Sequence, residues 1–230
     1  MPDPAATETN KVWYLKQNRL FEESPDDVVE RNAGIFTMQT FARKALIFDQ
    51  FSPARTIFMI KTGKVRLARL TEDGKEVTVA VLGRGDLFGE EAIFQTGPRT
   101  TFAIALEEAL LCMSSADDLL ALLGNEPKIA LNVAKVMSDR VLELTSTVED
   151  LAYARLSDRL VHLLERLAVE HGRPVDGGIE ITVRLTHADI ASLVGSTRET
   201  VSLELARLIR AGRIKQKAGA FIVPPAAAAS

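Results

Sequence analysis

The sequence predicts an α+β protein in which an N-terminal β-barrel of the jelly-roll type is followed by a long helix and a C-terminal winged helix-turn-helix. Three observations support this class. Residues 35–113 contain short apolar and β-branched runs that turn residues separate. A stretch without internal glycine or proline runs from Pro127 to about Tyr153, and two short capped helices separated by Gly195 follow it. Many short strands are typical of a barrel, and the helix pair is typical of a DNA-binding domain.

The composition is that of an ordinary soluble globular protein. The chain has 230 residues, of which 47% are hydrophobic and 26% charged, so it has enough apolar side chains to offset its chain entropy. No run approaches the eighteen apolar residues of a membrane span, and residues 1–10 lack the pattern of a signal peptide. A cytoplasmic protein with no membrane partner is therefore expected.

The net charge of −3 hides a difference between the two parts of the chain. Eleven of the 28 basic and eight of the 31 acidic residues lie from Leu151 onward, which gives that part +3 and leaves −6 for residues 1–150. The total argues against a nucleic-acid partner, but its distribution allows one at the C-terminal end.

Cysteine and histidine usage argues against metal chemistry and catalysis. Cys112 is the one cysteine, so it forms no internal disulfide and no cysteine cage, and its apolar neighbours predict a buried side chain. His162, His171 and His187 lack metal-ligand spacing and all follow the barrel. No common hydrolase, zinc-protease or P-loop motif occurs, so we expect no enzyme, metal, haem or iron–sulfur cluster.

The N-terminal half is predicted to consist of a short helix and then the strands of the barrel. Residues 1–10 are expected to be frayed, and Ser24 is expected to cap a helix that ends near Asn32. The predicted strands are residues 45–49, 56–61, 64–70, 76–82, 101–106 and 109–113. Asp73-Gly74 lies between two of them and indicates a hairpin turn.

The long helix carries an apolar stripe with the spacing of a coiled-coil seam. Its members are Ala134, Met137, Val141, Leu144, Val148 and Leu151. Alternating spacings of three and four residues are those of a two-stranded coiled coil, so we favour a dimer. The alternative is that the stripe packs on the chain's own barrel.

Two capping patterns define the helix-turn-helix. Thr186 with Asp189 begins the first helix, and Ser196 with Glu199 is predicted to begin the second, which ends near Ala211. The second helix of such a motif enters the major groove with its N-terminal residues toward the bases. Arg198 can donate two hydrogen bonds to guanine, and Glu199 can accept one from cytosine. The alternative role of Glu199 is to cap the start of the helix.

Further residues are expected to contact the DNA backbone. Ser196 and Thr200 are expected to donate to phosphates. A basic run follows at the end of the helix and in a predicted wing over residues 213–217 and 220–223; its members are Arg207, Arg210, Arg213, Lys215 and Lys217. Beside a reading helix, such a run indicates a surface that positions phosphates rather than a merely solvated face.

A second group of polar residues, between two barrel strands, suggests an anion pocket. Gly89 permits close backbone approach, Arg99 offers a planar fork that matches phosphate, and Thr100 adds donors. Glu90 suits a sugar hydroxyl. The alternative is an Arg99–Glu90 salt bridge that closes a surface loop, and the spacing alone does not separate the two.

These residues resemble the Crp/Fnr superfamily of transcription regulators from about Ser24 to Val223. The resemblance rests on residues 83–90 with Arg99-Thr100, residues 150–153, and residues 194–201. It implies a homodimeric regulator that binds double-stranded DNA, cyclic AMP as the effector, and contact with RNA polymerase.

The resemblance also assigns roles to residues. It implies that Gly89, Arg99 and Thr100 hold the cyclic phosphate and that Glu90 accepts from the ribose 2′-hydroxyl. The family uses a Thr-Ser pair toward the adenine; here Leu144 and Thr145 stand at those positions, which leaves Thr145, or Ser146 after a register shift. Of the three base readers, Arg198 and Glu199 match, and Leu203 replaces an arginine. A TGTGA-like half-site relaxed at one position is implied.

Two alternative functions remain. Leu144, and Thr101 at a position where small apolar residues are usual, favour a ligand-independent regulator controlled by its abundance. A nucleotide-binding module that regulates a partner protein would leave the helix-turn-helix unexplained.

The expected domain boundaries are residues 1–23 for the tail and lead-in, 24–126 for the barrel, 127–154 for the dimerisation helix, 155–224 for the winged helix-turn-helix and 225–230 for a disordered tail.

Overall fold

The computed structural model describes residues 11–94 and 97–224. The tails predicted for residues 1–10 and 225–230 lie outside these ranges. The chain divides into two compact units, one of residues Met1–Arg69 and Val81–Glu143 and the other of Leu70–Ala80 and Leu144–Ser230.

The N-terminal half of the chain forms two antiparallel sheets and the helices that pack on them; within it, residues Leu70–Ala80 belong to the second unit. The strands in this half of the chain are β1 (Thr37–Phe41), β2 (Leu46–Phe48), β3 (Thr56–Thr62), β4 (Val65–Leu70), β5 (Glu76–Leu82), β6 (Leu87–Phe88), β7 (Phe102–Ala105) and β8 (Ala109–Ser115). The sheet orders are β1-β8-β3-β6 and β2-β7-β4-β5. In the first, Phe58 of β3 is opposite Met113 of β8 and Phe88 of β6. This arrangement confirms the jelly-roll prediction.

The helices of this half are α1 (residues 11–16), α2 (Asp26–Asn32), α3 (Glu91–Phe94), α4 (Ala116–Asn125) and α5 (Pro127–Tyr153), with short 3-10 helices at Arg19–Phe21 and Ala33–Ile35. The side chain of Ser115 accepts from the Asp118 amide and begins α4. The bounds of α5 agree with the predicted long helix. A core cluster that includes Tyr14, Phe21 and Ile129 joins these helices to the first sheet.

Two predicted details at the N-terminal end are wrong. Pro25, not Ser24, is the N-cap of α2 and makes no side-chain cap bond, and the Ser24 hydroxyl is buried without a hydrogen-bond partner among the described residues. The strand β1 was not among the predicted runs, because two of its five residues are threonines and one is glutamine, so its polar side chains obscure the apolar pattern.

The second unit contains the winged helix-turn-helix. It is made of α6 (Leu156–His171), β9 (Gly172–Val175), β10 (Gly178–Ile181), α7 (His187–Leu193), α8 (Arg198–Arg210), β11 (Lys215–Lys217) and β12 (Ala220–Val223), with the sheet order β11-β12-β10-β9. The wing is present as predicted. Thr78 is buried in this unit, and its hydroxyl donates to Asp189 Oδ1 at 3.2 Å.

The Asp73-Gly74 turn is present as the sequence indicates. The Gly74 amide donates to the Thr71 carbonyl, and Thr71 and Lys75 close the turn with a second backbone bond, both at 2.9 Å. Within the described ranges, no helix is both long enough and apolar enough to cross a membrane.

Cys112 is expected to be chemically inert in the folded protein. It is fully buried on β8, and burial raises the pKa of its thiol to about 12, against about 8.5 for an exposed cysteine. At pH 8 the folded protein should react with iodoacetamide at least about 100-fold more slowly than the denatured protein, because the thiolate is the nucleophile.

The raised pKa also sets the sign of a pH effect on stability. The folded state holds this proton more tightly than the unfolded state, so the contribution to stability is intact below about pH 8.5 and is lost as the pH rises toward about 12. Urea unfolding should give a lower free energy of unfolding at pH 10 than at pH 8, and Cys112→Ala should make this difference smaller. Fast labelling of the native protein would contradict the burial.

Candidate functional site

The first candidate site, in the first unit, is built around Arg99. Its side chain is only 2% exposed. Nη1 donates to Glu91 Oε1 at 2.8 Å, and Nη2 donates to the Thr56 carbonyl at 2.7 Å. The guanidinium carbon lies 3.9 Å from the centroid of the Phe48 ring, within cation–π range. Arg99 is therefore held on two nitrogens and one face by its own unit.

Gly89 lies against this arginine. Its φ is +79°, and a Cβ built at this position would lie 3.0 Å from both Arg99 Nη1 and the Thr56 carbonyl oxygen. A side chain at residue 89 would press on the guanidinium and on strand β3, so glycine is the residue that fits. This is the close backbone approach that the sequence suggested.

Glu90 has a different partner from the one that the alternative interpretation gave it. Its Oε1 accepts from Arg140 Nη1 of α5 at 2.8 Å, and Arg140 Nη2 donates to the Leu87 carbonyl at 3.1 Å. The salt bridge considered between Arg99 and Glu90 is therefore wrong: Arg99 pairs with Glu91, and Glu90 pairs with Arg140. Both carboxylates are fixed by arginines within the first unit.

The remaining predicted pocket residues are on the surface. Thr100 is exposed beside Arg99. Thr145 is exposed on α5 and belongs to the second unit. The segment between Phe94 and Gly97 lies outside the described residues.

The second candidate site is the N-terminal turn of α8. The N-cap of this helix is Thr197, whose hydroxyl accepts from the Thr200 amide at 3.3 Å. The predicted cap at Ser196 is wrong by one residue, and Glu199 is consequently not its capping partner. Arg198, Glu199 and Thr200 are all exposed. Without the capping role, Glu199 keeps an exposed carboxylate in the first turn, where a DNA-binding motif presents its base readers.

The turn before α8 and the first helix are built as the sequence predicts. Thr186 and Asp189 form a reciprocal capping box at the start of α7. Gly195 has a φ of +60°, a conformation that glycine adopts without strain. The two helices are thereby set in the geometry of a helix-turn-helix.

The other predicted DNA contacts lie along α8 and the wing. Leu203 is 74% exposed on α8, and Arg207 and Lys215 are exposed. Ser196 is half-buried in the turn. Arg207 also lies 3.4 Å from Glu204, an exposed pair of little energetic weight.

The predicted seam on α5 is mostly uncovered by the chain's own core. Val141, Leu144, Val148 and Leu151 are 61%, 53%, 63% and 44% exposed. Met137 differs, because it packs partly against the barrel core. The alternative that the whole stripe packs on the barrel therefore holds for Met137 only.

Comparison with known proteins identifies both parts of the chain. A family model described as the cyclic nucleotide-binding domain matches residues 38–126, and one described as the Crp-like helix-turn-helix domain matches residues 154–227. A Mycobacterium tuberculosis protein described as a CRP-like cAMP-activated global transcriptional regulator is 30% identical over 183 residues, 80% of this chain and 82% of that protein. The chain belongs to the Crp/Fnr family of transcription regulators.

Other relatives of this Crp/Fnr regulator have different descriptions. The global nitrogen regulator of Synechocystis sp. is 32% identical over 189 residues, 80% of this chain and 84% of that protein. The solved structure of the c-di-GMP responsive global regulator CLP from Xanthomonas campestris matches with a TM-score of 0.75 at 22% identity, over 87% of this chain and all of that one, which shows the shared fold.

Family membership confirms three of the predictions. The protein is a DNA-binding transcription regulator, it carries a cyclic nucleotide-binding domain, and it belongs to a family of non-enzymatic regulators. Within the described ranges, no group of three or more histidine, cysteine, aspartate or glutamate side chains is placed to hold a metal ion.

Sequence reasoning missed several residues of this Crp/Fnr regulator. Glu91 pairs with Arg99, and Arg140 pairs with Glu90. Phe48 of β2 and Thr56 of β3 also hold Arg99. Only Glu91 had a visible signal, as a second charged residue directly after Glu90 at the start of a short helix. The others contact the pocket through tertiary structure.

Leu203→Arg is expected to add discrimination at one base pair of the half-site. Leucine cannot donate to guanine, whereas an arginine on this exposed position can form a bidentate contact worth about 1–3 kcal/mol of discrimination. Fluorescence anisotropy should compare a TGTGA-like site with single-base variants. The added positive charge should strengthen binding to all of these sites alike, so the ratio of the affinities reports the base contact alone. Gln216→Arg on the wing is a charge-matched control. An unchanged ratio in Leu203→Arg would contradict the placement of residue 203 at the bases.

Proposed function

We propose that this protein is a homodimeric transcription regulator that binds a palindromic, TGTGA-like DNA site and is activated by cyclic AMP. The observation that carries the proposal is the pair Arg198 and Glu199, exposed side by side in the first turn of a helix that Thr197 caps. A carboxylate on a surface that faces a polyanion is unfavourable unless it accepts a specific hydrogen bond. The pair therefore suits base reading better than general charge attraction.

The recognition helix reads a half-site through these two side chains. Arg198 donates to the O6 and N7 atoms of a guanine, and Glu199 accepts from the N4 amine of a cytosine. Thr200 and the Ser196 hydroxyl donate to phosphates, and Arg207 and Lys215 add positive charge along the backbone. Leu203 touches no hydrogen-bonding atom of a base, and at most contacts a thymine methyl group.

The effector proposal rests on Arg99 and Glu90. Arg99 provides the fork for the cyclic phosphate, with Gly89 allowing close approach and Thr100 adding a hydroxyl. Glu90 accepts from the ribose 2′-hydroxyl while Arg140 fixes the carboxylate at 2.8 Å. Thr145 is assigned to the adenine. A relative described as cAMP-activated supports cyclic AMP as the nucleotide.

The dimer proposal rests on the exposed seam of Val141, Leu144, Val148 and Leu151. A parallel pair of these helices buries the seam and gives the protein two recognition helices related by a twofold axis. Such a dimer binds half-sites about one DNA turn apart, roughly 34 Å. We propose that cyclic AMP shifts the population toward this spacing through residues 153–157, and that the DNA-bound dimer contacts RNA polymerase in the cytoplasm.

Isothermal titration calorimetry and footprinting test the two halves of this proposal separately. Micromolar cyclic AMP should bind to the full-length protein and should strengthen the footprint on a palindromic site. No heat of binding at micromolar nucleotide, together with an undiminished footprint, would reject cyclic AMP as the effector and leave the DNA-binding function standing.

A second candidate is a regulator of the same fold that needs no cyclic AMP and is controlled by its abundance. Leu144 favours it, because an apolar side chain replaces a hydroxyl that family members use toward the adenine. The description of one relative as a global nitrogen regulator shows that family members serve different signals. Equal DNA affinity with and without cyclic AMP would select this candidate.

A further inference from the structure

Arg99 already has an anionic partner of its own. The Glu91 carboxylate accepts from Nη1 at 2.8 Å, and the two side chains are 17% and 2% exposed. A hydrogen bond between two ionised groups at this distance is of the strong, charge-assisted kind. Screening by solvent is weak for a pair that is this deeply placed.

The second arginine at this site is also paired with a carboxylate. Glu90 pairs with Arg140, so the two arginines of the pocket face two carboxylates, and their charges cancel. The phosphate of a cyclic nucleotide carries one negative charge. It therefore approaches two arginines that are each already paired with a carboxylate, and Glu91 lies within hydrogen-bond distance of Arg99 Nη1.

We propose that Glu91 sets the affinity of the pocket by competing with the ligand phosphate for Arg99. This inference rests on the proposed cyclic-nucleotide function and deepens it. When a phosphate oxygen approaches Nη1, Glu91 is either displaced from the guanidinium or left as a like charge beside the phosphate, and both outcomes weaken binding. The internal carboxylate raises the nucleotide concentration at which the protein responds.

A purely orienting role for the same salt bridge would change the ligand affinity in the opposite direction. If Glu91 only oriented Arg99, removal of its charge would loosen the arginine and weaken ligand binding. The other contacts of Arg99 argue against that dependence, because the Thr56 carbonyl holds Nη2 at 2.7 Å and Phe48 supports one face of the guanidinium. Competition predicts tighter binding when the charge of residue 91 is removed.

Glu91→Gln is the direct test, because the amide keeps the shape and a hydrogen-bond acceptor while it removes the charge. Calorimetry on the full-length protein should show cyclic AMP binding at least about tenfold tighter than wild type, a difference of about 1.4 kcal/mol. Glu108→Gln, an exposed carboxylate in the connection between β7 and β8, removes the same charge away from the pocket and should leave the affinity within about twofold of wild type. Equal or weaker binding by Glu91→Gln overturns the inference.

A probe other than cyclic AMP separates this inference from the proposed function. Inorganic phosphate should raise the melting temperature of Glu91→Gln more than those of wild type and Glu108→Gln. If no variant binds cyclic AMP but phosphate selectively stabilises Glu91→Gln, the effector proposal fails and the competition stands. Equal phosphate responses in all three proteins overturn the competition. If Glu91→Gln does not fold, Glu91→Asp keeps the charge but withdraws it by one methylene, and unchanged or weaker cyclic AMP binding by this variant also overturns it.

Discussion

Val148→Glu is expected to convert the proposed dimer into a folded monomer. Val148 is 63% exposed on α5, so the chain's own core does not require it. In a symmetric parallel pair each residue of the seam faces its own copy, so the substitution places two carboxylates against each other in an apolar interface. Light scattering coupled to size-exclusion chromatography measures the change in mass.

The loss of the dimer should also weaken DNA binding by at least about 100-fold, because the second half-site is then no longer bound at high effective concentration. Leu142→Glu is the matched control, since Leu142 is 65% exposed on the same helix but lies off the seam. This control should remain a dimer with unchanged affinity. A dimeric Val148→Glu variant with full DNA affinity would show that the subunits associate through another surface.

Arg99→Ala is expected to cost both stability and cyclic AMP binding. The substitution leaves the Glu91 carboxylate, 17% exposed, without its partner and removes the group that rests on Phe48. Loss of one member of a buried ion pair destabilises a protein by about 3–5 kcal/mol. Urea unfolding measures this change, and calorimetry in the folded range should find no cyclic AMP binding.

Arg43→Ala removes an equal charge from an exposed position in the first unit and should leave both quantities unchanged. Because Arg99→Ala changes the free energy of unfolding, its ligand response is informative only at a temperature where the variant is folded. If Arg99→Ala keeps both the wild-type free energy of unfolding and the wild-type affinity for cyclic AMP, Arg99 neither stabilises the first unit nor binds the ligand.

Local patterns predicted those parts of the fold that local chemistry determines. The bounds of α5 and of β5 agree with the structure, since a helix without breakers and a hairpin with an Asp-Gly turn are encoded within a short stretch of chain. The capping box of α7 was found for the same reason. The cap of α8 was placed one residue early, because Ser196 and Thr197 are both good N-caps and only the backbone geometry selects between them.

The pocket shows where sequence reasoning ends. Gly89, Glu90 and Arg99 were identified from their residue types, but their partners were not. Arg140 is 50 residues from Glu90, and Thr56 is 43 residues from Arg99. Such contacts depend on how strands and helices pack, and the spacing of apolar residues along the sequence does not predict them. The strand β1 was missed because its polar residues obscure its pattern, although it pairs with β8 over five residues.

The pairing of Arg99 with Glu91 changes the interpretation of the pocket. The residue types alone suggested that Arg99 is available to bind a phosphate. The structure instead gives that arginine an internal carboxylate, and our proposal is that this carboxylate competes with the phosphate of cyclic AMP. We expect the wild-type protein to need a higher concentration of cyclic AMP than Glu91→Gln for the same response.

The most direct test of the central claim is the affinity of the full-length protein for a palindromic TGTGA-like duplex, measured by fluorescence anisotropy with and without cyclic AMP. The proposed mechanism predicts that saturating cyclic AMP strengthens binding to this duplex at least about tenfold, or about 1.4 kcal/mol, and has no such effect on a scrambled duplex. Equal affinity for the palindromic duplex with and without cyclic AMP would contradict it.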